Sequence, residues 1–253
     1  MSGDPLANGR LLVLTYHRVA EPPPGSPLRG LYVTPAQFAW QLAQLARGGA
    51  RVLTLRDLAT EPDDAAGGHR PGAPRVVLTF DDGTVDIFQH AYPLLRWFGF
   101  PAVIFPVVDD IGKSRVVWAH SADPSPVDLL SAGQLAAMAE DGFEIGAHML
   151  HHVPATSLPR QVLLEEMSDA RRRLAALLGG EVFSVAYPYG DYDERVVRAA
   201  AAAGFRYGVT TDPGMVQDRG PLQLRRMAVK GTRWYHRLQY LALLRRHLRI
   251  AAS

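Results

Sequence analysis

Apolar residues fall along this chain in short β-branched runs, separated by stretches where they recur every three or four positions, the alternation expected of βα units. The runs predict strands at 11–16, 51–55, 75–80, 102–107, 143–147, 182–187 and 205–211. Thr34 followed by Pro35 makes an N-cap and first-turn pair, and Phe38, Leu42 and Leu45 then repeat with helical spacing, which predicts a helix with one buried face. The clearest helix covers 159–178, with Leu163, Met167, Ala170, Leu174 and Leu177 in one stripe and Gly179-Gly180 as its stop. Ser131 is suited to cap a third helix, and Asp191 or Asp193 a fourth ending at Gly204. Segments 61–74 and 109–128 lack periodicity and read as loops, the second long enough to cover a site.

At 253 residues and 47% hydrophobic, the chain has material for a large α/β core. The expected division is a flexible start at 1–10, one domain over 11–230 and a basic amphipathic helix over 231–253, with no internal repeat. In that last stretch Arg233, Arg237, Arg245, Arg246 and Arg249 interleave with Trp234, Leu238, Leu241, Leu244 and Leu248. The plain reading is a helix packing one apolar face on the domain; the alternative is weak contact with an anionic membrane surface. The absence of cysteine removes disulfides and thiolate sites, so any metal must be held by nitrogen and oxygen. A formal charge of +2 without concentrated Lys/Arg clusters argues against nucleic acid as a partner. The first ten residues show no apolar leader and no long apolar run follows, so the expectation is a cytoplasmic or peripheral protein without a membrane span.

Four polar groups from distant parts of the sequence sit just beyond the C-terminal ends of predicted strands, the end at which parallel α/β sheets and barrels build their sites. Asp81 and Asp82, in Thr79-Phe80-Asp81-Asp82-Gly83, are adjacent carboxylates that repel unless a metal binds one and leaves the other as a general base. A polar Asp-Asp-Gly turn is the plain alternative. The segment from His148 to His152 holds three of the nine histidines; His148 and His152 lie four apart, where one helical turn would bring both rings to the same side, and His148 could also approach His151. Two imidazoles and one carboxylate form a three-ligand set with open positions, as a catalytic metal requires. The Tyr187-Pro188-Tyr189-Gly190 turn could aim the backbone N–H of Tyr189 at an oxyanion and use its ring as a wall. His17, after Thr15-Tyr16, carries an imidazole suited to protonating a leaving amine.

These motifs resemble those of the polysaccharide deacetylases of carbohydrate esterase family 4, which share a NodB (chitooligosaccharide deacetylase) homology domain. Thr79 to Gly83 matches the family's TFDDG motif without change, which implies Asp81 as catalytic base and Asp82 as metal ligand. The His-Ser/Thr-x-x-His motif falls on His148 to His152, implying those two as the other ligands and leaving His151 outside; Met149 stands where the family has a hydroxyl residue. The Arg-x-Pro-Tyr-Gly motif appears as Ala186-Tyr187-Pro188-Tyr189-Gly190 without its arginine, and Arg226 is the candidate to orient the base instead. The family's C-terminal Leu-x-x-His acid is also absent. The N-terminal Thr-Tyr-His pattern resembles the circularly permuted branch of poly-N-acetylglucosamine deacetylases, in which His17 would be the acid.

The resemblance runs from about Leu11 to Val229 and implies a distorted (β/α) barrel of about seven strands. It further implies one divalent metal, zinc by default with cobalt, nickel or iron also compatible, and hydrolysis of an acetamide on an N-acetylated glycan or sugar to acetate and a free amine. Three rivals remain at this stage: a cyclic amidase on the same fold, a non-haem iron oxygenase using two His and one carboxylate, and a carbohydrate-binding protein that has lost activity. Trp118, Tyr192 and Trp234 are candidate groove contacts, with packing as the plainer role of each.

Overall fold

The computed structural model describes residues 11–60, 73–118, 125–214 and 219–248. Among them the strands are β1 (Leu11–Tyr16), β2 (Arg18–Val19), β3 (Tyr32–Val33), β4 (Arg51–Leu53), β5 (Arg75–Phe80), β6 (Val103–Ile104), β7 (Glu144–Ile145), β8 (Ser184–Ala186), β9 (Tyr207–Val209) and β10 (Met227–Ala228). The helices are α1 (Pro35–Arg47), α2 (Leu55–Thr60), α3 (Tyr92–Phe98), α4 (Ala132–Glu140), α5 (Arg160–Leu178), α6 (Glu194–Ala202) and α7 (His236–Leu248).

Parallel pairing runs β10-β1-β5-β6-β7, an isolated bridge from Ala147 to Val185 carries it to β8, and β8 pairs β9. A second bridge, Val209 to Leu224, leads into the segment that becomes β10, so the circuit returns to its start. The ring β1, β5, β6, β7, β8, β9 and β10 is the distorted barrel the sequence predicts. Its membership differs from prediction in one strand. β4 pairs only with 75–77 of β5, on the edge whose 79–80 portion belongs to β6, and β10 completes the ring although only two residues long.

Strand residues alternate between two cores because successive side chains point to opposite faces. Leu11, Val13, Val77, Val103, Phe105 and Val209 fill the inside, whereas Leu12, Leu14, Leu78, Ile104 and Val185 meet the helices outside. Burial on both faces is what makes these strands continuous apolar runs in the sequence. Leu55, expected to end a strand, instead starts α2, and Leu55 and Leu58 join Leu53 in the inner core.

The predicted caps form. The Thr34 hydroxyl accepts from the Gln37 N–H at 3.2 Å, Ser131 and Gln134 make a reciprocal capping box, and Gly179 ends α5 with φ 67°. Asp193, rather than Asp191, caps α6, while Asp191 accepts from the Thr156 N–H and hydroxyl. Helix α3 lies in a segment for which the sequence predicts no element; its Pro93 sits in the first turn, where a missing N–H costs nothing. The buried face of α7 is His236, Tyr240 and Leu244, with Tyr240 against Trp40, so Trp234 and Leu238, expected in the packing stripe, are 77% and 59% exposed instead. No helix among the described residues is long and apolar enough to cross a membrane. Of the two expected loops, residues 61–72 and 119–124 lie outside the described residues; beside the latter, Val116 and Val127 form an antiparallel bridge.

Candidate metal and active site

Inward alternation along β5 carries Val77 and Thr79 into the barrel and delivers Asp81 at its mouth. The Asp81 N–H donates to the Tyr16 carbonyl at 3.0 Å, joining the turns after β5 and β1. Its carboxylate meets the Arg226 guanidinium in a two-pronged pair, Nη1 to Oδ1 at 2.7 Å and Nη2 to Oδ2 at 2.6 Å. Arg226 also donates to the Thr79 hydroxyl at 3.0 Å and the Thr210 carbonyl at 2.8 Å. Its side chain is 0% exposed, so the cost of burying the charge is offset by four directed hydrogen bonds. Burial pushes the Asp81 carboxyl up, but the Arg226 charge and hydrogen bonds, helped by His148 and His17, bring it below the ordinary carboxylate value. Asp81 is thus an ionised, oriented carboxylate at neutral pH.

Asp82 and Gly83 both adopt left-handed backbone conformations, φ 70° and 71°, and a Cβ on Gly83 would lie 2.7 Å from Pro106 Cα. This turn separates the two neighbouring carboxylates. Asp82 Oδ1 lies 3.5 Å from His148 Nε2 and 3.5 Å from His152 Nε2, and the ligand atoms of the three residues all fall within 4.8 Å of one another. Two donors each bound to one tetrahedral zinc at about 2.1 Å stand roughly 3.4 Å apart, so the set fits a single ion.

His148 is buried with its N–H on the Pro106 carbonyl at 2.9 Å. Its Nδ1 donates to the Ala186 carbonyl at 2.8 Å, which leaves Nε2 bare as a ligand atom. His152 does not reach it by the helical turn the spacing suggests. Instead Met149 takes φ 59°, its side chain buried in the core, and the chain doubles back until the two rings are 5.1 Å apart. Burial pulls both imidazoles down; for His148 the hydrogen bond and charges of the carboxylates outweigh it and leave the ring above its ordinary value, while His152 stays below. Burial likewise pushes Asp82 up, but hydrogen bonds to both histidines hold it well below the usual range.

His151 stands outside the set, as expected. Its N–H and Nδ1 donate to Glu166 of α5 at 3.1 and 2.5 Å, which ties the histidine turn to that helix. Tyr189 has φ 60°, and the following Gly190 is required because a Cβ there would lie 1.8 Å from Thr211 Oγ1. Three of the four described non-glycine residues with positive φ, Asp82, Met149 and Tyr189, belong to this site, a concentration of backbone strain typical of functional centres. The Tyr189 and Trp118 rings each lie 4.5 Å from the His152 ring, and burial with the nearby Asp82 charge pushes the Tyr189 phenol up to about 12.

A cavity of about 540 Å³ takes in His17, Asp81, Asp82, His148, His152, Tyr189 and Trp118, and its lining also includes Leu31, Tyr32, Val116 and Val127. Arg226 lies beneath it. His17 Nε2 is 3.9 Å from Asp81 Oδ2. Of the proposed groove contacts only Trp118 lines the cavity; Tyr192 is engaged with Asp212 at 2.6 Å, and Trp234 projects from the surface. The sequence reading missed Glu166 and Asp86. Glu166 carried a signal, an acid three residues after Leu163 and beside Met167, within a buried stripe.

A family model described as polysaccharide deacetylase matches residues 68–208. The chain is similar to YxkH of Bacillus subtilis, named for the same family, at 29% identity over 221 residues, covering 87% of this chain and 71% of that protein. A poly-β-1,6-N-acetyl-D-glucosamine N-deacetylase of Staphylococcus epidermidis is 26% identical over 218 residues, covering 79% of this chain and 71% of the relative. Among solved structures, the Streptococcus pyogenes deacetylase PplD in complex with acetate superposes with a TM-score of 0.74 at 24% identity, covering 91% of this chain and 97% of the other. IcaB from Ammonifex degensii gives 0.70 at 24% identity, covering 92% and 97%. The two structural likenesses establish the shared fold.

Proposed function

Because the chain belongs to the polysaccharide deacetylase family, we propose that this site removes the acetyl group from an N-acetylated glycan, leaving acetate and a free amine, with poly-β-1,6-N-acetylglucosamine-type chains as the first substrate to try. The observation that carries the reading is the convergence of Asp82, His148 and His152 donor atoms within 4.8 Å beside an aspartate gripped by Arg226. In this reading those three residues hold one divalent cation, zinc first and cobalt, nickel or iron as other ions that nitrogen and oxygen donors accept. Such an ion, when bound, acidifies water and polarises a carbonyl.

The remaining roles fall to the chain's own groups. Asp81, kept ionised and aimed by Arg226, takes a proton from the attacking water. The Tyr189 N–H donates to the oxygen that gains charge as water adds to the acetyl carbon, a contribution of about 3 kcal/mol for a single such donor. His17, which lines the same cavity with its Nε2 3.9 Å from Asp81 Oδ2, protonates the sugar nitrogen as the C–N bond breaks. The apolar walls and the Tyr189 and Trp118 rings limit water around the acetyl group. The domain over 11–230 contains every residue in this scheme; α7 and the turn before it add an exposed basic face, with Arg233 and Trp234 in the turn and Arg237 and Leu238 on the helix, for which contact with an anionic membrane surface is the accompanying proposal.

Acetate release from an N-acetylglucosamine oligomer by zinc-loaded protein is the test. Turnover that disappears in Asp81→Asn supports the reading. Ring opening of a cyclic amide without acetate release would favour the amidase alternative, and tight sugar binding without release the binding-protein alternative. An oxygenase does not need the Asp81–Arg226 pair.

A further inference from the structure

We infer that Asp86 is a positioning residue for proton delivery: it holds the turn bearing His17 against the turn bearing Asp81. The inference rests on the proposed role of His17 as the acid.

Asp86 lies four residues after Asp82, in the turn that leads into α3, and is 4% exposed. A carboxylate this deeply buried must find partners, and both oxygens do. Oδ2 accepts the Val19 N–H at 2.7 Å, and Oδ1 accepts from Arg18 Nε at 2.7 Å. The Arg18 guanidinium is in turn stacked over the Tyr32 ring, 5.2 Å from its centroid. Arg18 and Val19 are the two residues directly after His17. The segment from Asp81 to Asp86 therefore reaches the His17 turn at two points, through the Asp81 N–H on the Tyr16 carbonyl before His17 and through the Asp86 carboxylate on the two residues after it.

The His17 ring needs this support. Among the described residues it makes no hydrogen bond, and its nearest charged partner, Asp81 Oδ2, is 3.9 Å away. With nothing gripping the imidazole, its location relative to the leaving nitrogen is set by the backbone of residues 16–19, which the β1–β5 and β2–β3 pairings hold at its two ends and Asp86 ties to the Asp81 side of the site. Charge-assisted bonds at 2.7 Å are short and strong for their type, so the anchor is stiff. A misplacement of about 1 Å is enough to cost on the order of a hundredfold in a proton-transfer step.

The test exploits the fact that an acid is needed for a poor leaving group and far less for a good one. Zinc-loaded wild type, Asp86→Asn and His17→Asn are compared on an N-acetylglucosamine oligomer and on 4-nitrophenyl acetate, whose phenolate leaves without protonation. In His17→Asn the ratio of amide to ester turnover should fall by about a hundredfold or more, the usual contribution of a general acid. In Asp86→Asn it should fall by roughly tenfold to a hundredfold, in the same direction. Asn keeps one acceptor for the Val19 N–H, and Arg18→Met, which breaks the other half of the anchor without touching Asp86, should lower the ratio to a smaller degree. Equal loss on both substrates in Asp86→Asn and Arg18→Met, with His17→Asn selective, overturns the inference and leaves His17 as the acid. A His17→Asn ratio equal to wild type overturns both. A general loosening of the fold would lower both rates together and leave the ratio where it was.

Discussion

The Arg226 guanidinium closes on the Asp81 carboxylate through two parallel hydrogen bonds of 2.7 and 2.6 Å across 145 residues of sequence. The pair is almost wholly removed from solvent, 0% and 3% exposed, so either group left alone would be a buried, uncompensated charge. It links the last inward position of β10's approach segment to the mouth of β5, and thereby the ring closure of the barrel to the chemistry at its opening.

Arg226→Gln removes the strongest influence holding the Asp81 carboxyl down, while burial, which pushes it up, stays. With Asp81 as the proposed base, turnover requires its ionised form, so the acid limb of kcat/KM should move to higher pH and the plateau should drop. In wild type the depressed Asp81 value contributes stability present above the unfolded carboxylate pKa and lost as pH falls through the folded one. The variant should therefore be less stable at neutral pH, by about 3–5 kcal/mol for a broken buried pair. A pH–rate profile and denaturant melts check both; an unmoved acid limb removes Arg226 as the group that tunes the base.

Glu166 binds the His151 N–H and ring, and Met149 contributes no polar atom to the same turn. Glu166→Ala should weaken zinc binding by roughly tenfold to a hundredfold, the usual effect of losing a partner that orients ligands. Chelator competition reads this without any assay of turnover. Affinity equal to wild type would mean that the core packing of Met149 and the His148 bonds to the Pro106 and Ala186 carbonyls hold this turn without Glu166.

Glu144 is an inward acid near the closed end of the barrel, 2% exposed, with its oxygens on the Arg56 N–H at 2.7 Å and the Ser184 hydroxyl at 2.5 Å. Burial raises its carboxyl pKa more than these bonds and the Arg56 charge lower it. A raised folded value binds a proton more tightly than the unfolded chain does, so its stabilising contribution is complete below the unfolded pKa and is lost as pH rises through the folded one. Glu144→Gln, which never ionises, should gain stability relative to wild type as pH rises from the ordinary carboxylate range through the raised folded value. Paired thermal melts across that range that run parallel would contradict the assignment.

Much of this was legible in the sequence because burial on both faces makes β1 and β5 nearly continuous apolar runs, and because Thr34, Ser131 and Gly179 cap helices by local chemistry alone. The same locality fails for β10, two residues whose strand character comes only from pairing with Leu14 and Thr15. It also fails for Leu55, apolar in a predicted strand but turned into a plug by tertiary packing. The site residues were visible as motifs and by their location after strands, and Arg226 could be nominated because a motif arginine was missing. The turn that joins His148 to His152 was not visible, since Met149 gives no hint of a left-handed conformation that tertiary contacts impose. Asp86 and Glu166 act through backbone groups of residues far away in sequence, and no spacing rule reveals such partners.

One ion shared by Asp82, His148 and His152 is the premise of the proposed chemistry. Elemental analysis of zinc-reconstituted, dialysed protein, run beside acetate release from an N-acetylglucosamine oligomer, should give one zinc per chain and turnover for wild type. In Asp82→Ala and in His148→Ala both should be lost, along with the stabilisation of about 2.7 kcal/mol that a bound ion confers at a hundredfold excess over its Kd. Full zinc content with undiminished acetate release in either variant would contradict the account.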